Sequence, residues 1–392
     1  MNWWIDAALR HSRPVRIGTA HFASVILIGA GATPTHLSAQ QPERMSVVIE
    51  LEIRGRAHGD SALLSVRDVG VGPKGEFVVA DQKARNVKVF GTNGALIRVV
   101  GRGGSGPGEF GQFLSKVLVA PDGRIVVPEA VARHAQWFTW EGNYIKTTPA
   151  PTGLGMPLGF AVMPDGTLIQ GVANFGMLGS KRVMDSTIDV RAWTDEQSRP
   201  IATVGTGAEP QVPSNLGLAP VWAWNGRTEM VVGSGLDFNL RLYDSQGRLV
   251  RKLSRNWIPD SVTNADRDLL INAIVSNSPL EQRNAVAMGL KIAPFADVYP
   301  AMVALVVADD GVIWTQRPAT AEDLRSGRVK TFDFHEHIGA PSWDVFDRDG
   351  SLRMRVDVPL GFHLTRIVQN VLYGYSLDTD GLPVVQRLRL KR

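Results

Sequence analysis

The chain has 392 residues, 44% of them hydrophobic, a formal net charge of +4 and no cysteine. This length allows a large core, and the lack of thiols excludes disulfides, thiolate metal sites, a cysteine nucleophile and a lipid-modified cysteine anchor. Lys and Arg are scattered, so the clustered cations that a nucleic-acid partner requires are missing.

Residues 1–39 have the order of a secretory signal. Arg10, Arg13 and Arg16 form a basic flank, residues 20–32 are uncharged and mostly apolar, and the small Ser38 and Ala39 precede polar Gln40 and Gln41. An N-terminal membrane anchor is the alternative, but the apolar stretch is shorter than the roughly 20 residues of a spanning helix. Removing the segment takes away three arginines and one aspartate and leaves a net charge of +2. The expected product is a periplasmic or secreted monomer over residues 40–392, free of the membrane after cleavage.

Residues 47–53 alternate apolar and polar, the pattern of a strand. Tight turns then recur. Pro73-Lys74-Gly75, Pro121-Asp122-Gly123 and Pro164-Asp165-Gly166 are near-copies flanked by β-branched and aromatic residues. Trp224-Asn225-Gly226 and Asp309-Asp310-Gly311 are degenerate copies, and Gln369-Asn370 reads as a sixth. A second turn follows an aromatic residue in four places: Phe90 with Gly94, Phe138 with Gly142, Tyr243 with Gly247, and Phe346 with Gly350. Trp193 takes the aromatic position of the third unit.

Two hairpins per unit give four antiparallel strands. Repeats of this size stack into closed arrays. The expected fold is all-β: a six-bladed β-propeller of four-stranded antiparallel blades, with residues 47–53 completing the last blade and removing free edges. Seven blades is the alternative, if residues 292–360 hold two.

One stretch reads as helix. Thr263 and Asp266 resemble a capping box, and Leu269, Leu270, Ala273 and Ile274 follow at helical spacing. Ser278 and Pro279 read as the cap and first position of a second helix. Residues 261–291 are thus expected to be a helical hairpin insertion capping one face, and residues 318–339 a second excursion.

Val78-Val79-Ala80-Asp81 followed by Asn86-Val87-Lys88-Val89-Phe90 resembles the NHL repeat, and residues 101–110 resemble a blade connector. The chain is similar there to six-bladed propellers of the NHL and TolB-like superfamily, and most to an exported bacterial group of largely unknown function. The match is good over residues 66–146 and weak elsewhere. Where the family usually has a basic residue, this chain has Asn86. The resemblance implies a fold and leaves the activity open.

Candidate chemistry follows from position. Asp81 and Glu129 lie eight residues after Pro73 and Pro121, and Arg317 lies eight after Asp309. Equivalent positions face one end of a ring, where a ligand site collects side chains from several blades. His134 aligns with Asn86 near Glu129, and Asp378 adds another carboxylate. Asp81, Glu129, His134, Arg317 and Asp378 are the expected binding residues, set against the plainer reading that turn aspartates hold their own loops.

Other motifs favour structural readings. The Gly-rich residues 101–110 lack the Gly-Lys-Ser/Thr ending of a phosphate loop. His335-Glu336-His337 has no third zinc ligand, and Asp347-Arg348-Asp349-Gly350 lacks the distal Glu of a calcium loop. Trp222 and Trp224 share a strand face that suits either a stacked ligand or packing between blades. The expectation is a binding module for a small ligand or a protein, with no cofactor. The alternative is a lactonase-like hydrolase or lyase holding a divalent metal such as Ca, as in propeller lactonases of similar fold; Asp81, Glu129, Asn225, Asn239 and Asp378 are then the available ligands.

Overall fold

The computed structural model describes residues 42–55, 59–129, 132–150, 156–179, 181–194, 200–208, 216, 220–225, 229–292, 295–330 and 339–391. The signal-like residues 1–39 and the His335-Glu336-His337 triplet lie outside them.

The turns behave as their residue types require. Gly75, Gly123, Gly166 and Gly311 have φ between 85° and 87°, a left-handed backbone that glycine adopts without a steric penalty. Gln369 and Asn370 make the same connection with φ of 51° and 64°. Each of these turns joins the first and second strands of a unit.

Four antiparallel sheets of four strands follow in chain order. The first holds Val66–Val71, Phe77–Asp81, Asn86–Phe90 and Leu96–Val100, and the second Leu118–Val119, Ile125–Glu129, His134–Phe138 and Tyr144–Pro149. The third holds Met156–Val162, Leu168–Leu178, Lys181–Ala192 and Pro200–Gly205, and the fourth Val221–Trp224, Glu229–Gly233, Phe238–Asp244 and Leu249–Arg255. Trp193 directly follows the third strand of its sheet, as its place in the repeat requires.

The short Arg102–Gly103 and Glu109–Phe110 pair in parallel as a separate two-stranded sheet, and eight further strands form one sheet. Ala304–Val307, Ile313–Pro318, Gly339–Phe346 and Leu352–Asp357 occupy one half; Pro383–Leu390, Val371–Leu377 and His363–Val368 occupy the other. Glu43–Arg54 lies between them. Its residues 43–46 run parallel to residues 354–357, and residues 47–54 pair antiparallel with residues 384–390. Counted by hydrogen-bonded sheets, the described residues therefore form four four-stranded sheets, one of eight and the small two-stranded pair, in place of the six separate blades expected. The cause is this one strand, which bonds to both neighbours.

The first strands of the units touch in cyclic order. Val66–Val71 meets Leu118–Val119, and contacts continue through Met156–Val162, Val221–Trp224, Ala304–Val307 and His363–Val368 back to Val66–Val71. This is a propeller-like arrangement of twisted sheets. The core lies between sheet faces: Val78, Val87, Phe110 and Phe138 pack between the first two sheets, and Phe77 meets Tyr373 edge-on at 5.3 Å where the last meets the first. Burying each such side chain is worth about 1.5–3 kcal/mol.

Among the described residues three α-helices sit beside this framework: α1 (Asn264–Asn277), α2 (Arg283–Ile292) and α3 (Ala321–Arg325). Thr263 and Asp266 form the expected capping box on α1, and Thr320 and Asp323 form a second on α3. Ser278 behaves otherwise than its sequence context suggests. It closes α1, with its hydroxyl donating to the Ile274 carbonyl at 2.8 Å. Near a helix C-terminus unpaired carbonyls outnumber donors, so the hydroxyl serves the helix it ends. Pro279 leads instead into a short 3-10 turn, Leu280–Gln282.

The helices share a small core of Val262, Leu270, Ile274, Tyr299, Ala319 and Val329. Arg325 of α3 pairs with Asp266 of α1, and the Ala321 N–H donates to Tyr299 Oη at 3.0 Å. α1 and α2 lie in the connector leading into Ala304–Val307, and α3 lies between the second and third strands of that unit. In an antiparallel meander both places are at the end where the chain enters its inner strand. The helices therefore gather over one end of the sheets.

Candidate functional site

The inner strands enclose a central cavity of about 420 Å³. Residues from five of the units line it: 116, 118–119, 158–162, 222–225, 304–307, 309 and 364–368. Inner strands form the wall because they alone lie next to the axis.

One side of the wall is apolar and aromatic. Trp222 and Trp224, two residues apart on one strand, line it with Phe160 and Leu305. Trp222 is held by packing across the third sheet, where a Cβ on Gly171 would come within 2.8 Å of its ring. The glycine thus makes room for the indole. The Trp222 and Trp224 N–H groups are buried with no hydrogen-bond partner among the described residues.

The other side sets the polar Lys116, Thr365 and Arg366 among aliphatic residues. Lys116 Nζ lies 3.6 Å from Asp68 Oδ1, with the lysine partly exposed and the aspartate fully buried. Asp68 Oδ2 accepts from the Val117 N–H at 3.2 Å, while Oδ1 has no hydrogen bond among the described residues. Thr365 Oγ1 donates to the Val69 carbonyl at 2.8 Å, tying the last unit to the first. Arg366 Nη1 donates to the Thr365 carbonyl at 2.7 Å, and no ion pair to Arg366 is present among the described residues. Asp309 Oδ1, at the turn, accepts from the Gln369 N–H at 3.1 Å.

None of the five residues expected from the sequence lines this cavity. They occupy the ends of second strands or the turns and strands that follow. Asp81 is fully buried and accepts from Leu64 N–H and Ser65 N–H, both at 2.9 Å, from Ala84 N–H at 3.2 Å and from Lys88 Nζ at 2.9 Å. It fastens the incoming loop to the first sheet. Glu129 is equally buried; its Oε1 accepts from Gly111 N–H at 2.8 Å and its Oε2 lies 3.0 Å from His134 Nε2. The structure therefore brings Glu129 and His134 together as register partners on adjacent strands.

Asp378 holds its own turn, accepting from Asp380 N–H at 3.0 Å and Leu382 N–H at 2.9 Å. Arg317 is the next-to-last residue of the second strand of its unit, Ile313–Pro318. Burial, then the neighbouring Arg355 guanidinium, pushes its pKa below the usual arginine value, against the pull of Asp323 and Asp344. The offset of eight residues finds equivalent positions in successive units, but these lie one strand outward from the wall.

The missed residues carry a signal of their own. Asp68 and Lys116 each stand five residues before a turn proline, Pro73 and Pro121, and Gly159 stands five before Pro164. Of these three inner-strand positions, Lys116 and Gly159 line the cavity, and Asp68 lies behind it as the partner of Lys116. Arg366 has no such proline to align on, because its turn is Gln369-Asn370.

The Gly-rich loop supplies its own anion. Glu109 Oε2 accepts from Ser105 N–H at 3.1 Å and Gly106 N–H at 3.0 Å. These bonds, that to Gly106 foremost, with Arg102 beside them, lower the Glu109 pKa. Arg85 ties the loop down through the Phe110 and Gly104 carbonyls. Asp349 likewise serves its own hairpin turn, accepting from Ser351 N–H and Oγ. Among the described residues no three of His, Cys, Asp or Glu converge to hold a metal ion. Asp309 is the single carboxylate lining the cavity among them, so the donor set does not fit a divalent cation there.

No family model matches the chain, and no curated protein matches it. Solved structures do. A DUF4221-family member from Bacteroides vulgatus ATCC 8482 is 12% identical, with 90% of this chain and 100% of that chain covered and a TM-score of 0.47. Virginiamycin B lyase from Staphylococcus aureus is 11% identical over 87% and 99% of the two chains, with a TM-score of 0.44. A gluconolactonase from Xanthomonas campestris is 13% identical over 84% and 87%, with a TM-score of 0.42. At these identities and scores, neither activity nor residue roles carry over. Among the described residues no helix is long and apolar enough to cross a membrane.

Proposed function

We propose that this chain is an exported, monomeric six-bladed propeller of the NHL/TolB-like kind that binds a small ligand or a protein segment in its central cavity, without a cofactor. The count of six is supported by the cyclic contacts of the inner strands. It is also supported by the eight-stranded sheet, whose two halves become four-stranded units when Glu43–Arg54 completes the last one. Export is supported by the order of residues 1–39.

The observation that carries the binding reading is the cavity itself. It falls in the size range of small-molecule sites, and it joins an aromatic wall to a few polar groups. In this reading Asp81, Glu129, His134 and Asp378 hold the connectors and turns at the rim. Arg317 sits at the same end, within the unit that carries α3.

The test is a ligand screen on the purified chain by thermal shift, repeated on Ala304→Phe, which adds a ring to the cavity lining. Hits that raise Tm in the parent and lose their effect in the variant support the reading. Hits that act equally on both place binding elsewhere. Lactone turnover abolished by the same variant would replace binding with hydrolysis.

A further inference from the structure

We infer that the cavity selects an anionic ligand with an apolar or aromatic body, such as an aromatic carboxylate, held by Arg366 and Lys116 at one side and by Trp222, Trp224 and Phe160 at the other. This rests on the cavity-binding reading above.

The charges are unevenly matched. Arg366 keeps four of its five N–H donors after its bond to the Thr365 carbonyl, and no carboxylate lies within ion-pair distance among the described residues. Lys116 reaches Asp68 only at 3.6 Å, longer than a charge-assisted hydrogen bond, and its side chain is 40% exposed. Asp68 spends its other oxygen on the Val117 amide and does not line the cavity. Both cations therefore keep donors for an added acceptor. Asp309 is the opposing charge of the lining; it sits at the turn between its strands, where it receives the Gln369 amide.

Position along the wall reinforces this. Lys116 lies two residues before its inner strand and Arg366 is the fourth of the six residues of His363–Val368, whereas Asn225 and Asp309 lie beyond the ends of theirs, by the turns. Both cations thus sit further from the turns than Asp309 does, which leaves the acidic group at the turn end of the cavity. Thr365, fixed to the Val69 carbonyl, holds the strand carrying Arg366 against the first unit. A carboxylate meeting guanidinium and ammonium in a partly enclosed site gains charge-assisted hydrogen bonds worth more than in open water. The aromatic wall takes the apolar remainder.

The test compares 2-naphthoate with its neutral isostere 2-naphthamide by titration calorimetry on the purified chain. We expect at least tenfold tighter binding of naphthoate, falling to near parity in Arg366→Leu, with a smaller loss in Lys116→Met. Circular dichroism melts establish that each variant is folded, and Lys116→Met carries the test if Arg366→Leu does not fold. Equal binding of the two probes, with loss of both in Ala304→Phe, overturns the charge selection and leaves cavity binding intact. Binding of neither probe, or naphthoate binding that Ala304→Phe leaves untouched, overturns the charge selection and the cavity reading together.

Discussion

Lys88 Nζ lies 2.9 Å from Asp81 Oδ2, with both side chains sealed from solvent. The same carboxylate takes three backbone N–H groups, and Asn86 Oδ1 accepts from Lys88 at 2.8 Å. The second sheet repeats the arrangement without the charge pair. Glu129 and Gln136, at the matching register positions, accept from Gly111 and Gly108 of the loop leading into it. A buried acceptor at the end of a second strand thus fastens the incoming connector in both units.

Replacing Lys88 with Met leaves the Asp81 charge buried with backbone donors alone. Breaking one side of a buried ion pair costs about 3–5 kcal/mol. Urea denaturation of Lys88→Met is expected to show a loss of that size, and Lys88→Met with Asp81→Asn a smaller one, because the amide oxygen still accepts. A loss below about 1 kcal/mol in the single variant would mean that the three amides suffice.

The helical insertion is expected to loosen in acid. Burial works against the Asp266 carboxylate, but the Thr263 hydroxyl and amide and the Arg325 guanidinium outweigh it and hold its pKa below the usual aspartate value. A lowered native pKa means that the unfolded state binds the proton more readily. The stabilisation is therefore complete above the usual value of about 3.9 and is lost as pH falls through the lowered one. Hydrogen exchange of α1 amides should accelerate in that window, and Asp266→Asn should already exchange fast at pH 7. Unchanged exchange in the variant would place the anchor elsewhere, in the apolar contacts of Leu270 and Ile274.

Much of the fold was legible because its signals are local. A turn glycine with positive φ, an aromatic residue closing a strand and a Thr-Asp capping box each act within a few residues, and Gly75, Phe90 and Thr263 behave as read. Ser278 misled because a cap residue reads alike at the end of one helix and the start of the next. The pairing of residues 47–53 with the last strands followed from a missing outer strand. Their extension onto Leu352–Asp357 did not, since nothing in Glu43-Arg44-Met45 distinguishes an exposed end from a parallel partner. The cavity was less legible still. Asp81 and Glu129 are polar residues at a repeating offset, and that pattern does not tell the inner strand from the second.

Gly374 should be among the least replaceable residues. A Cβ there would stand 2.0 Å from the His363 carbonyl oxygen and 2.7 Å from the Phe362 ring, beside the register shift between Leu364 and Arg366. Backbone cannot yield as a side-chain tip can, so Gly374→Ala should cost about 3 kcal/mol or more. Gly381→Ala is the contrast. Its φ is 77° with nothing near the added methyl, so it should cost about 1–2 kcal/mol from the left-handed backbone alone. Denaturant melts of the two variants check the order, and equal costs would show that the strand His363–Val368 shifts to accept the methyl.

The strand Glu43–Arg54 should act as a removable closure. Without it, Leu352–Asp357 and Pro383–Leu390 would both present unpaired backbone edges, the features that template aggregation. The side-chain ties Gln386 to Glu52 and Arg387 to Glu50 would be lost with it. A chain lacking residues 42–54 is expected to melt lower and to self-associate in light scattering. A synthetic peptide of residues 43–54 should reverse both effects by adding back as a strand, whereas a scrambled peptide should not. If the shortened chain melts with the full one and stays monomeric, the sheet closes without this strand, and its pairing on both sides is incidental to stability.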